Sequence, residues 1–263
     1  MAAAAAVRSR RWALGVEYDG THFCGWQQQP ALRTVEGDLT EAVAGVADHA
    51  VALACGGRTD AGVHASGQVV HFDTAAVRSA RAWVLGVNAR LGRQLSVSWA
   101  RPVPDFFHAR FSALRRRYRY SILNRSARSA LQGGRTTWVQ MPLDVERMQR
   151  GGAHLLGEHD FSAFRAAECQ SRSPVRRLDR LELHREGDLV HIDVAANAFL
   201  HHMVRNIAGL LIEVGRGTRS PDDVLRLLVG RDRRANAPTA PAEGLCLQAV
   251  DYPGAFRLPQ PPV

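Results

Sequence analysis

The chain contains no lysine: all 34 basic side chains are arginine. Ala and Gly are abundant as well, so the missing lysine is read as a trace of coding-sequence composition. Cysteine is scarce. Cys24, Cys55, Cys169 and Cys246 lie far apart, and no Cys-x-x-Cys spacing occurs. A zinc ribbon and a dithiol redox pair are therefore excluded. Free thiols in a reducing, cytoplasmic compartment are expected. No apolar run is long enough to span a bilayer. The Ala- and Arg-rich start, 1–11, lacks the apolar stretch of a secretory signal. A strand is expected from Trp12, which leaves too little room for a transit peptide, so the start reads as a short frayed tail. No short-period repeat is present.

What is present is positive charge on an ordinary core. Hydrophobic residues make up 46% of the 263, enough for one large domain or two modest ones. The formal net charge is +9 and the sequence pI is about 10.5. Such a balance points to a polyanionic partner. Arginine suits that partner through bidentate phosphate contacts and stacking on bases.

Chemistry concentrates in segment 55–73. Gly56, Gly57, Gly62 and Gly67 crowd Arg58 and Asp60 into a turn. Glycine supplies positive φ and room for a bulky ligand. Gln68-Val69-Val70-His71-Phe72 then reads as a strand. Taken alone, Asp60 is more readily an Asx-turn residue bonding nearby backbone than a reactive group.

Around this segment the chain alternates strands and helices. Trp12, Leu14, Val16 and Tyr18 alternate as a half-buried strand ended by Asp19-Gly20. Thr34 caps a helix carrying Val35, Leu39, Val43 and Val46. A short strand is expected at 51–54 and a helix at 78–88. Pro102 and Pro104 mark a division, giving halves 1–105 and 106–263. In 115–120, Arg116, Tyr118 and Tyr120 share one face of a strand and Arg115, Arg117 and Arg119 the other. Arginine interleaved with tyrosine fits a splayed-out base and fits equally an exposed basic edge with tyrosines on the core. A helix starts at Asp144. His159-Asp160 reads as a turn cap rather than an acid–base pair. Two strands meet at a hairpin over 186–188.

The following helix buries Leu200, Met203, Val204, Ile207, Leu211 and Val214 on one side. Arg205 lies off that stripe, either as a solvated flank or as the partner of a buried carboxylate. Ala208 and Gly209 allow another segment to approach closely. His201 and His202 have no Glu or Cys at a known ligand spacing, so no metal is expected. Ser220-Pro221-Asp222-Asp223 is a strong helix start. The end from Leu258 is a Pro-rich tail.

The string 56–64, Gly-Gly-Arg-Thr-Asp-Ala-Gly-Val-His, closely resembles the signature loop of the TruA-type tRNA pseudouridine synthases. Four further motifs extend the resemblance over 12–252. The first is Tyr18-Asp19-Gly20-Thr21 with Gly25-Trp26-Gln27. The second is Phe107-His108-Ala109-Arg110, followed by Arg116, Tyr118 and Tyr120 at alternate positions. The third is His201-His202-Met203-Val204-Arg205-Asn206, and the fourth Ala240-Pro241-Ala242-Glu243-Gly244-Leu245-Cys246-Leu247. The chain departs from the family at 91–95, Leu-Gly-Arg-Gln-Leu, where Leu-Pro-x-Asp-Ile is usual. That departure concerns the local turn, not the chemistry.

The resemblance implies an α+β fold of two related, ferredoxin-like α/β halves whose mainly antiparallel sheets join around a central cleft. It implies isomerisation of uridine to pseudouridine in the tRNA anticodon stem-loop, at uridines 38–40. Asp60 would be the nucleophile, Arg205 its ion-pair partner and Arg58 its neighbour at the vacated base or its phosphate. Tyr118 would stack on the base and Leu245 line its pocket. Arg78, Phe107, His108, Arg110 and the loop Glu168, Cys169, Gln170, Ser171, Arg172 would contact RNA. No cofactor or metal is required. A homodimer with tRNA lying across both subunits is implied. The residues are compatible with attack of Asp60 at C1′, attack at C6, or proton removal from the sugar.

The first alternative is a non-catalytic tRNA-binding or folding protein, which would share the charge and the Arg/Tyr strand without needing Asp60 beside Arg58. Another base-modifying enzyme fits less well. The His-x-Glu and Pro-Cys-x-x-Cys of zinc deaminases are absent. The Asp60 loop runs into a strand, not into the helix expected after a methyltransferase cofactor loop.

Overall fold

The computed structural model describes residues 9–259; most of the expected N-terminal tail and the last residues of the Pro-rich end lie outside them. The chain divides into two compact units. One comprises Met1–Ala61, Ala65–Leu114 and Ala249–Val263; the other comprises Gly62–His64 and Arg115–Gln248. Both mix helices with mainly antiparallel strands, and five α-helices occur among the described residues.

In the first unit β1 (Arg10–Tyr18) is central. It pairs antiparallel with β3 (His64–Thr74) and β4 (Leu95–Pro102), while β2 (Ala54–Cys55) pairs with β3. Trp12 lies opposite Phe72 and Leu14 opposite Val70. Trp12 and Phe72 both meet the ring of Trp83, at 6.0 and 5.1 Å. Trp83 belongs to α2 (Ala80–Asn88), begun by a Ser79 cap. The alternation read in β1 thus becomes the face on which α2 sits. Thr34 accepts from the Gly37 N–H and starts α1 (Val35–Ala47), whose Leu39 and Val43 are fully buried.

Two boundaries differ from expectation. The strand at 51–54 shrinks to two residues. β3 begins at His64 rather than Gln68, because Ala65, Ser66 and Gly67 carry no hydrophobic period yet continue the strand, Ala65 opposite Tyr18. The unusual 91–95 segment still closes a turn, with Leu95 N–H on Gly92 O.

The expected division at Pro102–Pro104 falls inside the first unit. Residues 103–114 stay with it for a physical reason: Val103 N–H bonds Arg11 O, and Leu114 N–H bonds Asp251 O. The Arg11 guanidinium holds both oxygens of Asp73 and donates to Asp105 O and Phe107 O.

In the second unit the antiparallel order is β5 (Arg115–Asn124), β9 (Leu189–Ala196), β8 (Val175–Glu186), β7 (Gly157–Asp160). β6 (Thr137–Val139) pairs parallel with β5. Glu186 faces Leu189 across the expected hairpin. Helix α3 (Val145–Ala153) packs on both α4 (Met203–Gly215) and α5 (Pro221–Gly230). Asp144 caps α3, and Pro221 with a Ser220–Asp223 capping box starts α5, as their sequences require. β10 (Leu245–Asp251) starts in the second unit and ends in the first.

Candidate active site

Loop 56–61 is held from three sides. Gly56 N–H donates to Val69 O at 2.7 Å. The fully buried Gln68 side chain brackets Gly57: its Oε1 accepts Gly57 N–H and its Nε2 donates to Gly57 O. Thr59 is buried, with Oγ1 2.8 Å from Tyr18 Oη and its carbonyl accepting Trp26 N–H at 2.9 Å.

Trp26 belongs to a segment seated on the start of α1. Val35 N–H bonds Gly25 O, Glu36 N–H bonds Trp26 O, and the Glu36 carboxylate takes Gln27 Nε2 and Gln28 N–H. The start of the helix, the segment 25–28 and Thr59 form one connected network. Gly25 makes the approach possible. Its φ is +85°, and a Cβ there would stand 2.9 Å from Thr59 O and 3.2 Å from Asp60 C.

This fixed backbone carries Asp60 half-buried after the buried Thr59, with Arg58 exposed on the other side of Thr59. Among the described residues Arg58 forms no ion pair, so its guanidinium can receive an anionic group. Cys55 does not compete as a nucleophile. Burial, and next the negative Glu36, push its thiol up to about 12, which keeps it protonated at neutral pH.

The other expected contacts of this unit fall in two places. Arg78 is exposed and donates to Val46 O, satisfying a carbonyl in the last turn of α1. Phe107, His108 and Arg110 share loop 105–112. Phe107 is fully buried, its ring against His71, Tyr252 and Phe256; it supports the loop from beneath. His108 Nδ1 accepts the N–H groups of Arg110 and Phe111. Burial, then Arg11 and Arg110, lower its pKa, which suits a neutral acceptor. His71 Nδ1 accepts Ala109 N–H, and burial followed by His108 and Arg11 brings its pKa down to about 4. His71 lies on β3, the strand that leaves the Asp60 loop.

In the second unit Tyr118 is buried on β5 and meets Phe199 edge-on at 5.1 Å. Tyr118 thus lies on the buried side of β5, as a core-facing tyrosine would. Arg119, on the opposite face, holds Asp193 with two hydrogen bonds. Arg205 stands in the first turn of α4. Its Nε donates to Ala240 O and its own carbonyl accepts Ala240 N–H. Asn206 extends the strap, accepting Thr239 Oγ1 and Arg233 Nη2 while donating to Phe164 O. The close approach read at Gly209 is present: a Cβ there would collide with Pro238 O. Leu245 is buried at the start of β10.

Glu168, Gln170 and Arg172 lie on the loop after Ala166, with Cys169 and Ser171 between them, and most of this loop is open to solvent. It is shaped by two arginines that sequence reasoning passed over. Arg165 donates to Cys169 O, and Arg176 to Ser173 O, Val175 O and Ser171 Oγ. Asp160 is the expected turn cap, accepting Ser162 N–H and Oγ. Gln68, Tyr18 and Arg11 were likewise missed as supports. A buried-type strand containing one glutamine was the only signal available for Gln68.

Comparison with known proteins points to a single family. The family model described as tRNA pseudouridine synthase matches residues 15–112 and 153–253. The chain is 54% identical over 248 residues to a tRNA pseudouridine synthase A of Methylococcus capsulatus, covering 94% of this chain and 92% of that one. It is 53% identical over 253 residues to the protein of that name from Vibrio cholerae, covering 96% of each. The same identity, over 250 residues, relates it to the Nitrosococcus oceani protein of that name, with 95% and 96% covered. A match over most of the chain that includes both the Asp60 loop and the Arg205 helix places this chain in the tRNA pseudouridine synthase family.

Proposed function

We propose that the protein isomerises uridine to pseudouridine in the tRNA anticodon stem-loop, at uridines 38–40, with Asp60 as the nucleophile. The observation that carries the residue assignment is the loop itself. A carboxylate stands on a backbone clamped by Gln68, Tyr18 and Trp26, near an exposed arginine with no acid partner among the described residues. Preorganisation of this kind keeps a reacting group in place without ordering cost during the reaction.

The reaction needs a base out of its stack, at a cost of a few kcal/mol for a paired nucleotide. Arg58 takes the extruded phosphate or fills the vacated space. Tyr118 stacks on the uracil, with Phe199 fixing its ring, and Leu245 lines the pocket. Arg205, its fork oriented through Ala240 O, is the ion-pair partner of Asp60. The N-glycosidic bond breaks at C1′, the uracil turns over, and a C1′–C5 bond forms; the C5 proton leaves and N1 gains one, so the product is an isomer. The exposed residues of 168–172, together with Arg78, His108 and Arg110, hold the RNA. Two related ferredoxin-like halves with joined sheets, and a homodimer acting on tRNA in the cytoplasm, complete the reading.

Asp60→Asn tests it. The variant is isosteric and leaves the backbone clamps untouched, so tRNA affinity stays nearly unchanged while pseudouridine formation, mapped in tRNA, is lost. Retained turnover refutes the assignment of Asp60. Wild-type protein that binds tRNA without forming pseudouridine supports the non-catalytic alternative instead.

A further inference from the structure

Phe106 and Phe111 stand out among the aromatic side chains of the first unit. They are 77% and 76% exposed, while Phe107 between them is fully buried. Exposure at this level on a loose loop would mean little, but this loop is fixed. Arg11 donates to Asp105 O and Phe107 O, His71 receives Ala109 N–H, and His108 receives the N–H groups of Arg110 and Phe111. Ser112 closes the turn, its N–H on His108 O and its Oγ receiving His108 N–H.

Both rings are also propped. Phe106 leans on Phe256 at 5.9 Å, and Phe111 on the His108 ring at 4.3 Å, with the Arg110 guanidinium 5.6 Å from its centroid. Each keeps most of its surface open to solvent.

We propose that Phe106 and Phe111 form a stacking surface for unpaired nucleotides of the RNA substrate. This rests on the reading of the protein as a tRNA-modifying enzyme. Flat apolar rings beside arginine match a base and its phosphate, one for stacking and one for charge. Rings already held in place lose little freedom on binding. A second copy of the same chain fits less well, because Arg110 and its counterpart would face each other across the contact in a chain of net charge +9.

The test uses the full-length protein and unmodified tRNA. Phe106→Ala and Phe111→Ala each weaken tRNA binding by roughly ten-fold, the scale of one lost base–aromatic stack. The double variant is weaker again. The dependence of affinity on salt keeps its slope, since no phosphate contact is removed. Phe111→Trp restores affinity, whereas Phe111→Leu, apolar but not planar, does not. Wild-type affinity in the double variant overturns the proposal. So does an affinity loss accompanied by a change in oligomeric state in sedimentation, which would assign the rings to a contact between copies. Wild-type pseudouridine formation is measured alongside: its absence overturns the functional reading, whereas its presence with unaltered binding by the alanine variants overturns the stacking surface alone.

Discussion

At Gly25 a single methyl group would reach the backbone that carries Asp60. The position combines φ +85° with a would-be Cβ 2.9 Å from Thr59 O. Gly25→Ala is therefore expected to cost about 1–2 kcal/mol for the left-handed backbone alone and to displace loop 56–61 as well. Turnover falls at least roughly ten-fold, the scale of a small misplacement of a reacting group, while tRNA binding, measured separately, changes little. Unaltered turnover would show that this contact does not set the position of Asp60. Residues of this kind divide by how legible they are. Asp60 and Arg58, proposed for the chemistry, stand two positions apart in one loop, so the string itself displays them together. Tyr18, 41 residues from Thr59, and Arg11, 62 residues from Asp73, were not, because a partner brought in by strand pairing leaves no local mark. Phe107 was read as an RNA contact yet is buried; in an irregular loop no period tells which of two adjacent phenylalanines faces inward.

Elements were easier to place than their ends. Caps at Thr34, Asp144 and Ser220 locate three helix starts, since each satisfies backbone N–H groups that would otherwise lack partners. Strand limits were less visible. Ala65, Ser66 and Gly67, next to the start of β3, are small, and β2 is too short to show alternation. The packing of α4 against the strap 236–241 was legible from Ala208-Gly209, and it yields an element-scale prediction. Gly209→Ala forces Pro238 O, which lies where the new methyl would go, to move with the whole strap. A loss of about 2–3 kcal/mol is expected from such overpacking, read in urea unfolding. It brings a fall in activity, because Arg205 loses its anchor on Ala240 O. An activity loss without destabilisation would contradict this route.

For the molecule as a whole, charge is the property sequence states most directly. A formal net charge of +9, its positive side chains all arginine, implies that tRNA binding releases counterions. Affinity should fall linearly in log–log form as salt rises, by roughly a thousand-fold between about 50 and 200 mM for about six phosphate contacts. A flat titration would remove phosphate recognition from the account. The identity of the uridine acted on belongs to shape rather than composition, so no count of residues could have supplied it.

The path of the chain carries one more consequence. The first unit draws its parts from both ends of the sequence: Leu114 N–H waits for Asp251 O, and Ala109 O for the Tyr252 hydroxyl at 2.6 Å. During synthesis from the N-terminus, loop 56–61 emerges long before the last strand that its own unit requires. The first unit therefore completes only once Ala249–Tyr252 has emerged, and a nascent chain stalled ahead of Ala249 would hold that unit unfinished.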